Sequence, residues 1–262
     1  MMLICKTMKK IRLLLEYDGA AYHGWQVQKD ATTVQGIIED RVQRITGERL
    51  SVLGASRTDA GVHALGQVAV FRTKSRLDAE TMKRALNAVL PRDIRVLDIS
   101  VIDDLFHPRE DAVKKNYFYI ITNQRKSSVF FYRHSWLVPQ SLDLDSVTEA
   151  SRVLVGRYDF SSFMGTGSDV KDFVREIYSL TVERLESIDF MTVSLKGNFI
   201  KISTEADGFL RHMVRNIVGT LVEIGRGRMP ANKMKEILAS RDRRLAGQTA
   251  PASGLFLDRI VY

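Results

Sequence analysis

One cysteine, Cys5, in 262 residues leaves no partner for an internal disulfide and points away from an oxidising compartment, toward the cytoplasm. Long apolar runs are missing as well. No stretch approaches the roughly 20 residues needed to cross a bilayer, so no membrane span is expected. At the start of the chain, Lys6, Lys9 and Lys10 stand where a signal peptide would carry its apolar core, so that segment does not read as a leader. Neither a Gly-x-x-x-x-Gly-Lys-Ser/Thr loop nor a strand-linked Gly-x-Gly-x-x-Gly occurs, which leaves nucleotide cofactors without a visible seat. Gly165-Thr-Gly167 and Gly225-Arg-Gly227 are too short to supply one. The five histidines, His23, His63, His107, His134 and His212, are scattered, with no pair at zinc-ligand spacing, so no metal site is expected. Low-complexity segments and short-period repeats are also lacking.

What is present suits an ordinary globular chain. Hydrophobic residues make up 45% and charged residues 27%, enough apolar material to fold without staples as one large domain or two smaller ones. The net charge of +8 implies a polyanionic partner but does not separate nucleic acid from an acidic membrane surface.

The periodicity predicts a strand over Ile11 to Tyr17 and a helix over Thr33 to Thr46 that buries Val34, Ile37, Ile38, Val42 and Ile45 and stops at Gly47. A short strand at Leu50 to Leu53 and a longer one within Gln67 to Thr73 then flank a Gly-rich segment. A helix over Thr81 to Leu90 and a strand over Ile94 to Ile102 follow. The second half predicts a strand at Asn116 to Thr122, a helix at Leu144 to Val155 and three strands within Glu176 to Glu205, with Tyr178, Leu180 and Val182 alternating. A helix over Phe209 to Ile224 and a shorter one after Pro230 complete it. The expected fold is α+β: two similar lobes, each a mostly antiparallel sheet covered by helices, over residues 1–105 and 106–262.

Asp59 is the leading candidate for chemistry. Gly54, Ala55, Ser56, Ala60 and Gly61 around it allow a tight turn and close approach of a substrate, while Arg57 and His63 are cations or near-cations that can favour an ionised carboxylate. An Asp that merely bonds its own turn is the plainer alternative. Tyr117 and Tyr119 alternate in a strand just after Lys114-Lys115, an interleaving that suits stacking of bases as well as an ordinary sheet core. Arg211 and Arg215 are four apart on a predicted helix, where an anion would relieve their repulsion, though Arg215 can equally pair with an acid such as Asp59. Arg226, Arg228, Arg241, Arg243 and Arg244 read as a solvated basic face or a phosphate track.

These pieces occur in an order that resembles one family along nearly the whole chain. Tyr17-Asp-Gly-Ala-Ala-Tyr-His-Gly-Trp-Gln26, Thr33-Val-Gln35, Gly54-Ala-Ser-Arg-Thr-Asp-Ala-Gly-Val-His-Ala64, Gly66-Gln-Val68 and Phe106-His107 are followed by Asn116-Tyr-Phe-Tyr119, Asp159-Phe-Ser-Ser-Phe163, His212-Met-Val-Arg-Asn-Ile-Val-Gly219 and Ala250-Pro-Ala-Ser-Gly-Leu255. Together they resemble the tRNA pseudouridine synthases of the TruA type. That resemblance implies isomerisation of uridine in the tRNA anticodon stem-loop, at positions 38, 39 and 40. It also implies a homodimer whose ferredoxin-like or RRM-like lobes flank an active-site cleft, working without cofactor, metal or membrane. By motif it makes Asp59 the nucleophile, Tyr117 the ring that stacks on the target base, Arg215 the arginine that orients Asp59, Arg57 an RNA contact and Leu255 part of the uracil pocket. Ser56, Asn116 and Phe118 depart from residues common in that family, without touching Asp59, Tyr117 or Arg215.

Overall fold

The computed structural model describes residues 8–167 and 170–262, so Cys5 and Lys6 lie outside the described residues. The chain divides into two compact units, one running to Val113 and completed by Leu257–Tyr262, the other Lys114–Phe256. In both, strands and helices combine as an α+β fold with almost wholly antiparallel pairing.

The first unit is built as β1 (Lys9–Tyr17), α1 (Val34–Thr46), β2 (Leu53–Gly54), β3 (His63–Thr73), α2 (Ala79–Val89) and β4 (Ile94–Ile102). β1 is paired on both sides, with β3 and with β4, and β2 pairs β3, so the spatial order is β4-β1-β3-β2. This is the ferredoxin-like arrangement of a βαββαβ chain. Alternation in β1 puts Ile11, Leu13, Leu15 and Tyr17 inside. Thr33 caps α1 by accepting from the Gly36 amide, and Gly47 ends it at φ 74°. Val34, Ile38 and Val42 of α1 are buried as the periodicity requires, while Ile37 and Ile45 stay half-exposed. α2 begins at Ala79, two residues before the expected Thr81, because Asp78 caps it by accepting from Thr81. The strand expected at Leu50 to Leu53 shrinks to Leu53–Gly54, whereas β3 starts at His63, earlier than its apolar run.

Residues 106–113 stay with this unit. Val113 donates to the Val261 carbonyl at 2.9 Å and Tyr262 donates its hydroxyl to Pro108 at 2.9 Å.

The second unit holds β5 (Lys114–Thr122), β6 (Trp136–Leu137), α3 (Leu144–Arg152), β7 (Gly156–Asp159), β8 (Val174–Phe190), β9 (Val193–Ala206), α4 (Met213–Gly225) and α5 (Lys233–Ser240). Its strands are ordered β5-β9-β8-β7, with β6 parallel to β5. β10 (Leu255–Val261) then carries the chain from this unit into the first. Two long strands replace the expected three in Glu176 to Glu205, since the chain turns only once, at Met191, where φ is 55°. Inside β8 a register shift between Ile177 and Ser179 breaks the alternation read from sequence: Ile177 is buried and Tyr178 faces out, with Leu180 inside again. α3 also ends at Arg152, before the expected Val155, and Gly156 opens β7.

Candidate active site

Asp59 lies on the loop between β2 and β3, half-buried, and the backbone on either side of it is tied down. Ala55 donates to the Val68 carbonyl at 2.8 Å. Gln67, fully buried, grips Ser56 twice: its Oε1 accepts from the Ser56 amide at 3.2 Å and its Nε2 donates to the Ser56 carbonyl at 2.7 Å. Thr58 is held through its Oγ1, 2.8 Å from the Tyr17 hydroxyl, and through its carbonyl, which accepts from Trp25 at 3.0 Å. Val62 closes the turn on the Asp59 carbonyl at 3.1 Å, and Gly61 donates to Tyr22 at 3.2 Å. The backbone that carries the carboxylate is therefore held in place, as nucleophilic or proton-abstracting chemistry requires.

The segment doing most of this holding is Tyr17 to Trp25, so two blocks far apart in sequence form one structure. Close approach explains its glycines. A Cβ on Gly19 would stand 2.0 Å from the Val62 carbonyl oxygen, and one on Gly24, which also sits at φ 89°, 2.6 Å from that of Thr58. Burial pushes the Tyr17 hydroxyl up to about 12, against the pull of its bonds to Thr58 and Gln67.

Of the two residues expected beside the Asp59 carboxylate, one is buried and one exposed. His63 is buried, its Nδ1 accepting from the Gly19 amide at 3.1 Å and lying 3.0 Å from Asp18 Oδ1. Arg57 is exposed and forms no ion pair among the described residues. The charge that acts beside Arg57 belongs to Arg109, whose Nε donates to the Gly54 carbonyl at 2.9 Å.

In the second unit Tyr117 and Tyr119 share the inner face of β5. Tyr119 is a core residue whose hydroxyl donates to Pro251 at 2.7 Å; burial drives its proton affinity far up, with Arg215 opposing. Tyr117 is 6% exposed and meets Phe209 edge to face at 5.1 Å. Arg215 sits in the first turn of α4 and donates Nε to the Ala250 carbonyl at 2.8 Å. Leu255, 5% exposed, starts β10 just beyond Gly254, which packs so closely on Tyr119 that a Cβ there would lie 2.5 Å from the ring. Tyr119, Arg215 and the 250–255 segment thus form one cluster, with Tyr117 on the same strand face. Arg57 and Asp59 belong to the first unit.

The spacing of Arg211 and Arg215 does not make a helical pair. His212 adopts φ 60° and α4 begins only at Met213, so Arg211 precedes the helix and donates to the Thr166 and Gly167 carbonyls. The basic face expected further on is also largely neutralised. Arg226 and Arg228 both hold Glu223 at 2.9 Å, Arg241 pairs with Asp159 at 3.1 Å and Arg244 with Asp242 at 2.6 Å.

Arg243 instead turns inward. Its Nη2 donates to Asn216 Oδ1 at 3.0 Å and to Thr249 Oγ1 at 3.1 Å, while Thr249 donates to the same Asn216 oxygen at 2.7 Å. Asn216 anchors the group through Nδ2 on the Phe163 carbonyl, 2.7 Å away. Sequence reasoning passed over Gln67, Arg109, Asn216, Arg243 and Thr249 as site-shaping residues. Gln67 and Asn216 stood inside recognisable blocks, a polar residue in each case among apolar neighbours; Arg243 read only as basic surface, and Arg109 and Thr249 carry no local signal.

Residues 14–109 and 150–262 match a family model described as tRNA pseudouridine synthase. The chain is 40% identical over 255 residues to a tRNA pseudouridine synthase A of Thermodesulfovibrio yellowstonii, an overlap that covers 97% of this chain and 100% of that protein. It is 43% identical to the protein of that name in Syntrophomonas wolfei, over 97% of this chain and 98% of the relative, and 41% identical to that of Thermotoga maritima, over 97% and 100%.

Proposed function

The chain belongs to the tRNA pseudouridine synthase family, and on that premise we propose that it isomerises uridine to pseudouridine in the tRNA anticodon stem-loop, at positions 38, 39 and 40, with Asp59 as nucleophile. The carrying observation is the Asp59 loop, braced on both sides by Gln67, Tyr17 and Trp25. In the reaction the C1′–N1 bond breaks, the uracil turns, and a C5–C1′ bond forms; C5 gives up its proton and N1 gains one, with no net oxidation. A positioned carboxylate suits each way of starting it: attack on C1′, attack on C6, or removal of a sugar proton.

Tyr117 stacks on the target base in this reading, Arg215 and Leu255 serve the same pocket, and Arg57 meets RNA. The stacking role is supported by the placement of Tyr117 on the inner face of β5 beside the ring of Phe209, an aromatic setting for a base that has left its helical stack. The cytoplasmic setting and the homodimer belong to the same proposal. Among the described residues no helix is long and apolar enough to cross a membrane. Sizing in solution should give twice 29.7 kDa; a monomer would remove the dimer from the proposal.

The test is Asp59→Ala assayed by release of the C5 hydrogen from labelled tRNA. Turnover should fall below detection with the fold intact by circular dichroism, and retained turnover would sink the assignment. A product of altered mass would show a different reaction altogether.

A further inference from the structure

Arg109 is a half-buried guanidinium that, among the described residues, has no acidic partner. Burial and then the charge of Arg57 both loosen its hold on its proton, and no carboxylate offsets them. Arg57 is likewise without an acid or any hydrogen bond among the described residues. Two like charges beside one loop repel, and an anion between them would relieve that repulsion.

The seat of Arg109 is stiff. It lies in the turn after Pro108, where His107 donates its amide to Asp111 Oδ2 at 2.9 Å, Asp111 donates to the His107 carbonyl at 3.0 Å, and Glu110 donates to His107 Nδ1 at 3.1 Å. Tyr262 secures the Pro108 carbonyl from the far end of the chain. Only Nε of Arg109 is used, on Gly54, the residue that opens the Asp59 loop. Its Nη1 and Nη2 keep their four N–H groups, the planar fork that fits a phosphate.

We propose that Arg109 and Arg57 together hold one backbone phosphate of the RNA, next to the nucleotide presented to Asp59. The inference rests on the tRNA reading above and adds to it the class of group held, a phosphodiester, and a residue, Arg109, that positions the strand. Because Arg109 is bonded to Gly54 and Arg57 stands two residues before Asp59, a phosphate caught between them is tied to the same loop as the carboxylate. Phosphate contacts of this kind set register without reading sequence.

The experiment measures binding of an anticodon stem-loop RNA against KCl concentration, for the unaltered protein, Arg109→Gln and Arg57→Gln. Glutamine at 109 keeps an amide donor for the Gly54 carbonyl and drops the charge. Each variant should flatten the slope of log K against log salt by about 0.7 to 1. In parallel, single methylphosphonates are placed along the RNA. One of them should weaken binding to the unaltered protein and cost nothing further in Arg109→Gln. An unchanged slope, or methylphosphonates that all cost the variant as much as the unaltered protein, would overturn the phosphate site. If Arg109→Gln fails to fold, Arg57→Gln, whose side chain makes no hydrogen bond or ion pair among the described residues, gives the same reading. Pseudouridine formation on the same RNA separates the two ideas: turnover with unchanged slope removes the phosphate site alone, and a masked methylphosphonate without turnover removes the isomerase reading and leaves the site.

Discussion

Arg215 and Ala250 hold each other twice, the Ala250 amide donating to the Arg215 carbonyl at 3.1 Å while Arg215 Nε donates to the Ala250 carbonyl at 2.8 Å. The first bond ties backbone to backbone, and the second spends one of the five guanidinium N–H groups on fixing the direction of the side chain. A loop that leads to Leu255 and a turn of α4 thereby move as one piece. Behind them, Gly247 donates to Thr220 Oγ1 at 2.9 Å and Thr249 joins Arg243 to Asn216, so the loop is fastened along its length.

Thr249→Val should loosen that fastening while keeping the side chain's shape. It removes the Thr249 donor to Asn216 and the acceptor for Arg243. The cost expected is about 1 to 2 kcal/mol in urea unfolding. With Arg215 less well directed, kcat should fall more than KM rises, and Thr249→Ser should restore it. An unchanged kcat in a variant shown to be destabilised would separate this loop from catalysis.

Gly219→Ala tests the same junction sterically. A Cβ at position 219 would lie 1.7 Å from the Gln248 carbonyl oxygen, so the loop must back away from α4. Overpacking of this kind costs about 1 to 3 kcal/mol. Thermal melting should show the loss, and activity should drop beyond what the folded fraction explains. A melting temperature equal to that of the unaltered protein would contradict the packing described.

Gln67→Leu strikes the other brace. It removes the Gln67 side chain as partner of the Ser56 amide and carbonyl, two bonds in a part-buried position. Each unsatisfied group costs about 1 to 3 kcal/mol. The expected outcome is a lower unfolding midpoint together with a fall in kcat as Asp59 loses its fixed setting, measured by the C5-hydrogen release assay. Full activity would mean that the Ser56 tether has no bearing on Asp59.

Alkaline pH should weaken the first unit through Tyr17. Its folded pKa, about 12, lies above the ordinary 10.0, so the folded state holds the proton more tightly. The contribution is fully present below about pH 10 and is lost as pH rises toward 12, on the order of 2 to 3 kcal/mol in all. Urea midpoints compared at about pH 9 and about pH 11 should therefore fall, and should fall less in Tyr17→Phe, which has no proton to lose. An equal fall in both proteins would assign the alkaline sensitivity to other buried groups, such as Tyr119.

Periodicity and capping residues in the chain itself determined most of the elements. β4 runs Ile94–Ile102 as its alternation requires, and α1 lies between a Thr33 cap and Gly47, because these signals are local and act within a turn or two. Asp59, Tyr117 and Arg215 stood out by local composition and spacing with a plainer alternative beside each, while Leu255 and the roles expected of all four came only from the ordered motifs. Tertiary structure decided what local signals cannot carry. A bulge in β8 turned Tyr178 outward, the left-handed His212 cut Arg211 away from α4, and the remote Asp159 carboxylate claimed Arg241. The pairing of Tyr17 with Thr58, of Gln67 with Ser56 and of Arg109 with Gly54 depends on strands brought together over long stretches of chain. Partner choice at that range is set by packing and register, which no short window of sequence contains.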